Sequence, residues 1–254
     1  MSFPFTASIV LYRNEIAVAE RAVQSVLATP GLETLYLVDN SGNDDLRVLG
    51  TGPNVAYIRS EVNLGFGRGH NRALERVSGV EYHAVINPDV EFGPTVIPKL
   101  IDTLRAGSRV GLVGPRLLKG NGHVEHSCRD WPRPFDLVIR RLLPSIRHRP
   151  SRFVLAELPL DRPSQVPILS GAFLVASVAA LHAVGGFDER YFLYMEDYDL
   201  CRALYEIGYR CIYDPSEVVI HHYGGHSYRR LRPLAWHIAS AIKYFNKWGW
   251  RPLF

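Results

Sequence analysis

The segment Tyr82-His83-Ala84-Val85-Ile86-Asn87-Pro88-Asp89 decides how this chain is read, because five strand-type residues run straight into an Asn-Pro-Asp turn. A short apolar run is a buried-strand candidate, and the proline then removes an N–H that a ladder would need. The same pattern recurs on the N-terminal side. Thr6 to Tyr12 and Thr34 to Val38 are apolar runs, and the second ends at the polar turn Asp39-Asn40-Ser41-Gly42. Val55 to Arg59 leads into Asn63-Leu64-Gly65-Phe66-Gly67-Arg68-Gly69-His70-Asn71. Helices fall between these strands. Ile16, Ala19, Val23 and Leu27 stripe one that Asn14 would cap, a second runs from the glycine-rich turn to Val77, and a third covers Thr95 to Arg105. A strand from Val110 to Val113 follows. This alternation predicts an α/β fold, a doubly wound and mostly parallel central sheet flanked by helices. In such sheets ligands sit beyond the C-terminal strand ends, where the turns at Asp39, at Gly65 to Asn71 and at Asn87 to Asp89 all lie.

From Arg116 to Val166 the periodicity is lost and Pro and Arg accumulate, so residues 116–166 read as an insertion or flexible loop over the crevice. Order returns with a strand from Ile168 to Val175 and a helix from Val178 to Val184. Then comes Phe192-Leu-Tyr-Met-Glu196-Asp197-Tyr-Asp199-Leu-Cys-Arg202, where carboxylates stand among apolar and aromatic residues. Buried carboxylates are costly unless they are paired, bind a metal or do chemistry. Read as a helix from Tyr194 to Gly208, the run places Asp197 with Leu200, Cys201, Leu204 and Ile207 on the apolar side. Glu196, Asp199, Arg202 and Glu206 fall on the other, where Arg202 can pair with Asp199 or Glu206. Asp197 is thus expected to point inward, either as a chemical group or as a helix-start cap. Short strands at Arg210 to Tyr213 and Val218 to Ile220 precede His221-His222-Tyr223-Gly224-Gly225-His226-Ser227. The chain divides into a domain over residues 1–230 and a C-terminal basic aromatic helix over residues 231–254.

Composition bounds the function. With 254 residues, 47% hydrophobic content and a net charge of +4, the chain fits a globular enzyme better than a nucleic-acid binder. The arginine-rich stretch from Arg129 to Arg152 holds aromatics only near its start, at Trp131 and Phe135, and the net charge is modest, so no nucleic-acid partner is expected. Three cysteines without CxxC spacing indicate neither a disulfide framework nor a zinc knuckle, which fits a reducing cytoplasm. Met1-Ser-Phe-Pro-Phe5 lacks the regions of a signal peptide, and no run of roughly 18 apolar residues spans a membrane. From His226 to Phe254 there are six Lys or Arg residues and no acid, mixed with Trp236, Ile238, Ile242, Trp248 and Trp250. Such a segment either packs on the domain or lies peripherally at the inner face of a membrane.

Several residues could carry chemistry. Asp89, exposed in its turn, and His221 or His222 at a strand end could hold Mg²⁺ or Mn²⁺ together with phosphate oxygens. Each alone has an ordinary reading, a turn former or a core histidine. Gly65 to Gly69 is neither a GxGxxG fingerprint, because His70 stands where glycine is needed, nor a P-loop. Its glycines still let backbone N–H groups and Arg68 approach a phosphate at a helix N-terminus.

Taken together, Val38-Asp39-Asn40-Ser41, Asn63-Leu-Gly65-Phe66 with Gly69 and Asn71, Asn87-Pro-Asp-Val90, Ser170-Gly-Ala-Phe173, Gly185-Gly-Phe-Asp-Glu189, Phe192 through Arg202 and His221 through Ser227 resemble glycosyltransferase family 2. The resemblance covers nearly the whole chain outside residues 116–166, and it is to the bacterial rhamnosyltransferase-like branch. It implies the GT-A fold, Rossmann-like, and an inverting sugar transfer in cell-envelope polysaccharide synthesis. It implies Asp39, with Asn40, Asn63, Gly65, Arg68, Asn71 and Asn87, as the donor-binding set. Asp89 and His221, or His222, would bind Mg²⁺ or Mn²⁺, and Asp197, or its neighbour Glu196, would be the general base. The chain departs from the family's DxD motif at Asn87, which removes one carboxylate from the metal site. The Asn-Pro-Asp form implies dTDP-rhamnose as donor, with a UDP-sugar as the alternative, and a glycan or lipid-linked acceptor. Competing readings are a nucleotidyltransferase or nucleotide-sugar hydrolase, and a non-catalytic carbohydrate-binding scaffold.

Overall fold

The computed structural model describes residues 3–134, 153–222 and 231–250. Residues 223–227 of the histidine-rich motif, most of the arginine-rich stretch and residues 251–254 lie outside the described residues.

The N-terminal half forms as the alternation predicts. β1 (Phe5–Leu11), α1 (Ile16–Leu27), β2 (Leu32–Asp39), β3 (Val55–Arg59), α2 (Phe66–Leu74), β4 (Tyr82–Ile86), β5 (Val90–Phe92) and α3 (Val96–Ala106) follow in order. β3, β2, β1 and β4 are neighbours and run parallel. Two boundaries differ from the expectation. α2 stops at Leu74 rather than Val77, and α1 starts at Ile16 without a side-chain cap, while Asn14 accepts instead from the Tyr12 N–H (2.8 Å).

Beyond β4 the sheet changes character. β6 (Val110–Lys119), β7 (Val124–Glu125), β8 (Cys128–Arg129), β9 (Ser164–Val166), β10 (Ile168–Leu169), β11 (Phe173–Ser177), α4 (Val178–Val184), α5 (Glu196–Glu206), β12 (Arg210–His221) and α6 (Leu231–Trp248) complete the described chain. The sheet order is β3-β2-β1-β4-β11-β6-β12-β5, with β7 on β6 and β9 on β12, while β8 and β10 form a small second sheet. β11 runs antiparallel to both β4 and β6. The sheet is therefore mixed, parallel from β3 to β4 and again between β6 and β12. Apolar runs carry no direction, which is why alternation alone could not reveal the reversal.

Three expectations are corrected here. Residues 116–119 continue β6 rather than opening an irregular insertion. The run from Ile168 to Val175 is interrupted at residues 170–172, so its two ends serve different sheets. The two short strands after α5 are one strand, β12, with a register shift between Asp214 and Val218.

Period-2 alternation builds a core on each face of the sheet. Tyr82, Ala84 and Ile86 of β4, with Phe173 and Val175 of β11, meet α1 and α3. Val85, Leu174 and Ala176 face the other way, onto α2, α4 and α5. Ser177 caps α4 through the Ala180 N–H (3.4 Å). A third cluster joins Tyr191 and Met195 to Ala241, Tyr244 and Phe245 of α6. Among the described residues no helix is long and apolar enough to cross a membrane.

Candidate active site

The C-terminal ends of β2, β4 and β12 and the N-terminal ends of α2 and α5 come together along one edge of the sheet. Asp39 closes β2 and is fully buried. Its Oδ1 accepts the Ser41 N–H (2.8 Å) and its Oδ2 accepts the Tyr57 hydroxyl. Burial and this bond push the Tyr57 hydroxyl pKa up, so it stays a proton donor. Asn40 donates from its backbone to Leu11 O (2.8 Å) and from Nδ2 to Gly65 O (3.1 Å), which ties the β2 turn to the glycine-rich one. Its Oδ1 is buried without a hydrogen-bond partner among the described residues.

The glycine-rich segment works mainly as a joint. Asn63 Oδ1 accepts the Gly65 N–H (2.9 Å), and the Phe66 N–H donates to Phe192 O (3.0 Å). Arg68 pairs with Glu189 (3.2 Å) at the surface. Asn71, expected in the donor-binding set, has a structural task in the fold. Its Oδ1 accepts the Phe187 N–H (2.9 Å) and its Nδ2 donates to Phe187 O (2.8 Å), so both amide groups clamp the Gly185-Gly186-Phe187 turn onto α2. Beneath them runs a buried polar chain in which His70 Nδ1 and His83 Nε2 both bond Ser8 Oγ (2.7 and 2.8 Å), and His83 Nδ1 bonds Thr6 Oγ1 (2.8 Å). Burial lowers both imidazoles to about 3, so they are neutral hydrogen-bonding core groups.

At the other end, Asp89 Oδ1 lies 3.2 Å from His221 Nε2, and Glu125 Oε2 lies 2.9 Å from His221 Nδ1. Asn87 Nδ2 is 3.4 Å from the same Nε2. Burial alone would lower the His221 pKa, but the Asp89 and Glu125 carboxylates outweigh it and raise it to about 9. Of the two candidate histidines, His221 is the one whose ring meets Asp89. His222 turns to Glu91 (2.9 Å) and touches Asp89 only through its backbone N–H, which donates to Asp89 O (2.7 Å). Strand alternation explains the choice, since Glu217, Val219 and His221 share the buried face of β12. Among the described residues no group of three or more His, Cys, Asp or Glu side chains is arranged to hold a metal. Asp89 and His221 are two convergent donors, a carboxylate and an imidazole whose far nitrogen Glu125 orients. That pair fits a divalent cation only when phosphate oxygens or water complete the shell.

Asp197 joins the two ends. Its Oδ2 accepts the Gly171 N–H (3.0 Å) and its Oδ1 accepts the Tyr198 N–H (2.9 Å). The next residue, Ala172, accepts the Asn87 N–H at its carbonyl (2.9 Å), so two residues, Gly171 and Ala172, link Asp197 to the Asn87-Pro88-Asp89 turn. Desolvation raises the Asp197 pKa, with the backbone donors opposing it. The expected division of α5 into faces holds only in part. Leu200, Cys201 and Leu204 are buried, but so are Glu196 (6% exposed) and Asp199 (2% exposed), whereas Asp197 is half-buried and Ile207 exposed. Helix amphipathicity assumes one packed side, and α5 is packed on two. Among the described residues Glu196 Oε2 has no hydrogen-bond partner, and burial, followed by the Asp197 charge, raises its pKa well above the ordinary value. Arg202 pairs with Glu206 (2.6 Å) rather than with Asp199.

Glu125, Tyr57 and Asp199 support the site without being legible as such in the sequence. Glu125 sits in the stretch read as irregular, and Tyr57 lies within a strand. Only the apolar setting of Asp199 signalled a buried partner.

The chain is similar to known proteins. The glycosyl transferase family 2 signature matches residues 8–156. The chain is 33% identical over 219 residues to N-acetylglucosaminyl-diphospho-decaprenol L-rhamnosyltransferase of Mycobacterium tuberculosis, covering 80% of this chain and 71% of that one. Among solved structures it superimposes on the GalNAc-T7 complex with UDP, GalNAc and Mn²⁺ with a TM-score of 0.65 at 14% identity, over 87% of this chain and 43% of that one. It also matches the mannosyltransferase PcManGT of Pyrobaculum calidifontis, in complex with GDP-Man and Mn²⁺, with a TM-score of 0.62 at 20% identity, over 96% and 65% of the two chains. The fold is the GT-A fold, and the chain belongs to glycosyl transferase family 2, as a rhamnosyltransferase-like glycosyltransferase.

Proposed function

We propose that this glycosyltransferase is an inverting enzyme that moves L-rhamnose from dTDP-rhamnose to a glycan or lipid-linked acceptor in cell-envelope polysaccharide synthesis. The observation that carries the mechanism is the position of Asp197, a desolvated carboxylate held by two backbone N–H groups and linked through Ala172 and Asn87 to Asp89. Desolvation makes it a stronger base than a surface aspartate, and the backbone donors fix its direction.

In the reaction, Asp197 accepts the proton of an acceptor hydroxyl as that oxygen forms its bond to the anomeric carbon. The bond from that carbon to the diphosphate oxygen breaks on the opposite face, and its electron pair leaves with the nucleoside diphosphate. A divalent cation held by Asp89 and His221, when bound, supplies charge neutralisation for that leaving group. Asp39 reads the N3–H of the base, an interaction it can offer once Oδ2 is shared with or released by Tyr57. Asn40, Asn63 and Gly65 shape the turns around it, Arg68 is to meet the diphosphate by exchanging its Glu189 partner for phosphate oxygens, and Glu196 lines the base helix. The 33% identical M. tuberculosis relative, named for a decaprenol-linked substrate, supports a lipid-linked acceptor. The exposed Trp236, Ile238, Ile242 and Trp250 on and beside α6, in a basic segment without acids, support peripheral contact with the inner face of the cytoplasmic membrane.

Calorimetric titration of dTDP, UDP and GDP, with and without Mn²⁺, on wild type and Asp89→Ala tests the reading. Metal-dependent dTDP binding that the variant loses is the expected result. Preference for UDP keeps the mechanism but changes the donor, and no binding to any nucleotide overturns the proposal.

A further inference from the structure

We propose that Lys247 of the C-terminal helix and Asp199 of α5 form a positioning pair that sets the catalytic helix in place, which makes α6 part of the working site. The inference rests on Asp197 as the base.

The backbone that launches α5 is unusual. Tyr194 and Met195 both have φ of +69°, the left-handed region that residues other than glycine rarely occupy. Two such residues in succession persist only where the surroundings over-determine them. The surroundings here are supplied largely by α6. Met195 is buried against Ala241, Tyr244 and Phe245, and Ser240 Oγ donates to Leu193 O (2.9 Å). Lys243 Nζ donates to Arg190 O (2.6 Å).

At the far end of α6 the contact becomes ionic. Lys247 Nζ donates to Asp199 Oδ2 (2.7 Å) and to Asp188 Oδ2 (2.8 Å). Trp248 Nε1 and the Tyr191 hydroxyl both donate to Asp199 Oδ1 (2.7 and 3.1 Å). Asp199 therefore has both oxygens satisfied by three side chains, two of them from α6. Asp188 has a second cation in Arg190, whereas Lys247 is the cation that Asp199 has in this cluster. Asp199 is two residues from Asp197 in the first turn of α5, and its backbone N–H closes that turn on Met195 O (2.8 Å). A shift of Asp199 therefore carries Asp197 with it. A base displaced by about 1 Å can lose on the order of 10²-fold in rate.

The test is a double-mutant cycle read on sugar transfer, with Lys247→Met, Asp199→Asn and the pair combined, and with Asp197→Asn in parallel. Each variant is also melted and titrated with the nucleoside diphosphate. The expected result is that either single change lowers kcat about 10- to 100-fold, with diphosphate affinity retained, and that the double variant loses no more than the worse single one. Because a buried carboxylate left without its cation can destabilise the fold, Trp248→Phe, which removes the N–H donor but keeps Lys247 and an aromatic ring, serves as the milder variant and should lower kcat severalfold. Wild-type kcat in Lys247→Met, or losses that simply multiply in the double variant, overturns the pair. If Asp197→Asn itself keeps full turnover, the base assignment fails instead, and the two failures are told apart.

Discussion

Replacing Gly65 by alanine probes the joint on which both halves of the site depend. Gly65 has φ +84° and ψ −173°, a backbone region essentially reserved for glycine. A Cβ there would lie 2.1 Å from Phe192 O, so that carbonyl must recede by about 1 Å before reaching the 3.0 Å limit of real Cβ contacts. The retreat breaks the Phe66 N–H to Phe192 O hydrogen bond, now 3.0 Å long. The conformational strain is worth about 1–3 kcal/mol, and the lost bond about 1 kcal/mol. The sum of about 2–4 kcal/mol is a large part of the roughly 5–15 kcal/mol that holds a domain together. Gly79→Ala is the internal control, because φ is +73° there but nothing lies within 4 Å of the added carbon. It should cost only the conformational share. Urea unfolding of both variants gives the free energies, and melting should fall by roughly 5–15 °C for Gly65→Ala. A Gly65→Ala loss below about 0.5 kcal/mol, or one no larger than that of Gly79→Ala, refutes the proposed joint between α2 and the Phe192 carbonyl.

Three further outcomes are expected. Asp197→Asn should lower turnover by about 10²–10⁴-fold while dTDP affinity stays within twofold; because the Asp197 pKa is raised, the wild-type rate should fall on acidification at a pH above the ordinary aspartate value of 3.8. Glu196 has a folded pKa raised above 4.5, so its contribution to stability is fully present below that pH and is lost as pH rises through the folded value. Unfolding free energies of wild type and Glu196→Gln should accordingly diverge in favour of the variant as pH increases, and parallel curves would contradict the buried, unpaired carboxyl. Tyr57→Phe removes a donor from the fully buried Asp39 and should destabilise the nucleotide-free protein by about 1–3 kcal/mol in urea unfolding. Nucleotide affinity, measured by calorimetry, should not weaken, since the variant frees Asp39 Oδ2.

What the sequence determined by itself were the strand ends. Apolar runs that give way to Asp39-Asn40-Ser41, to the polar residues after Arg59 and to Asn87-Pro88-Asp89 mark where the strands stop, because period and turn chemistry are local properties. β3, β4 and α4 have the predicted limits for the same reason. Tertiary structure decided what depends on partners distant in the chain. Asp199 is buried because α6, nearly fifty residues away, brings Lys247 and Trp248 to it, so a second packed side overrides the helix-face pattern. Asn71 became a clamp because Phe187 offers both a backbone donor and an acceptor. His221 rather than His222 meets Asp89 because β12 pairs with β5 and β6 in one register, and a strand in a fixed register can present only alternate residues to the site.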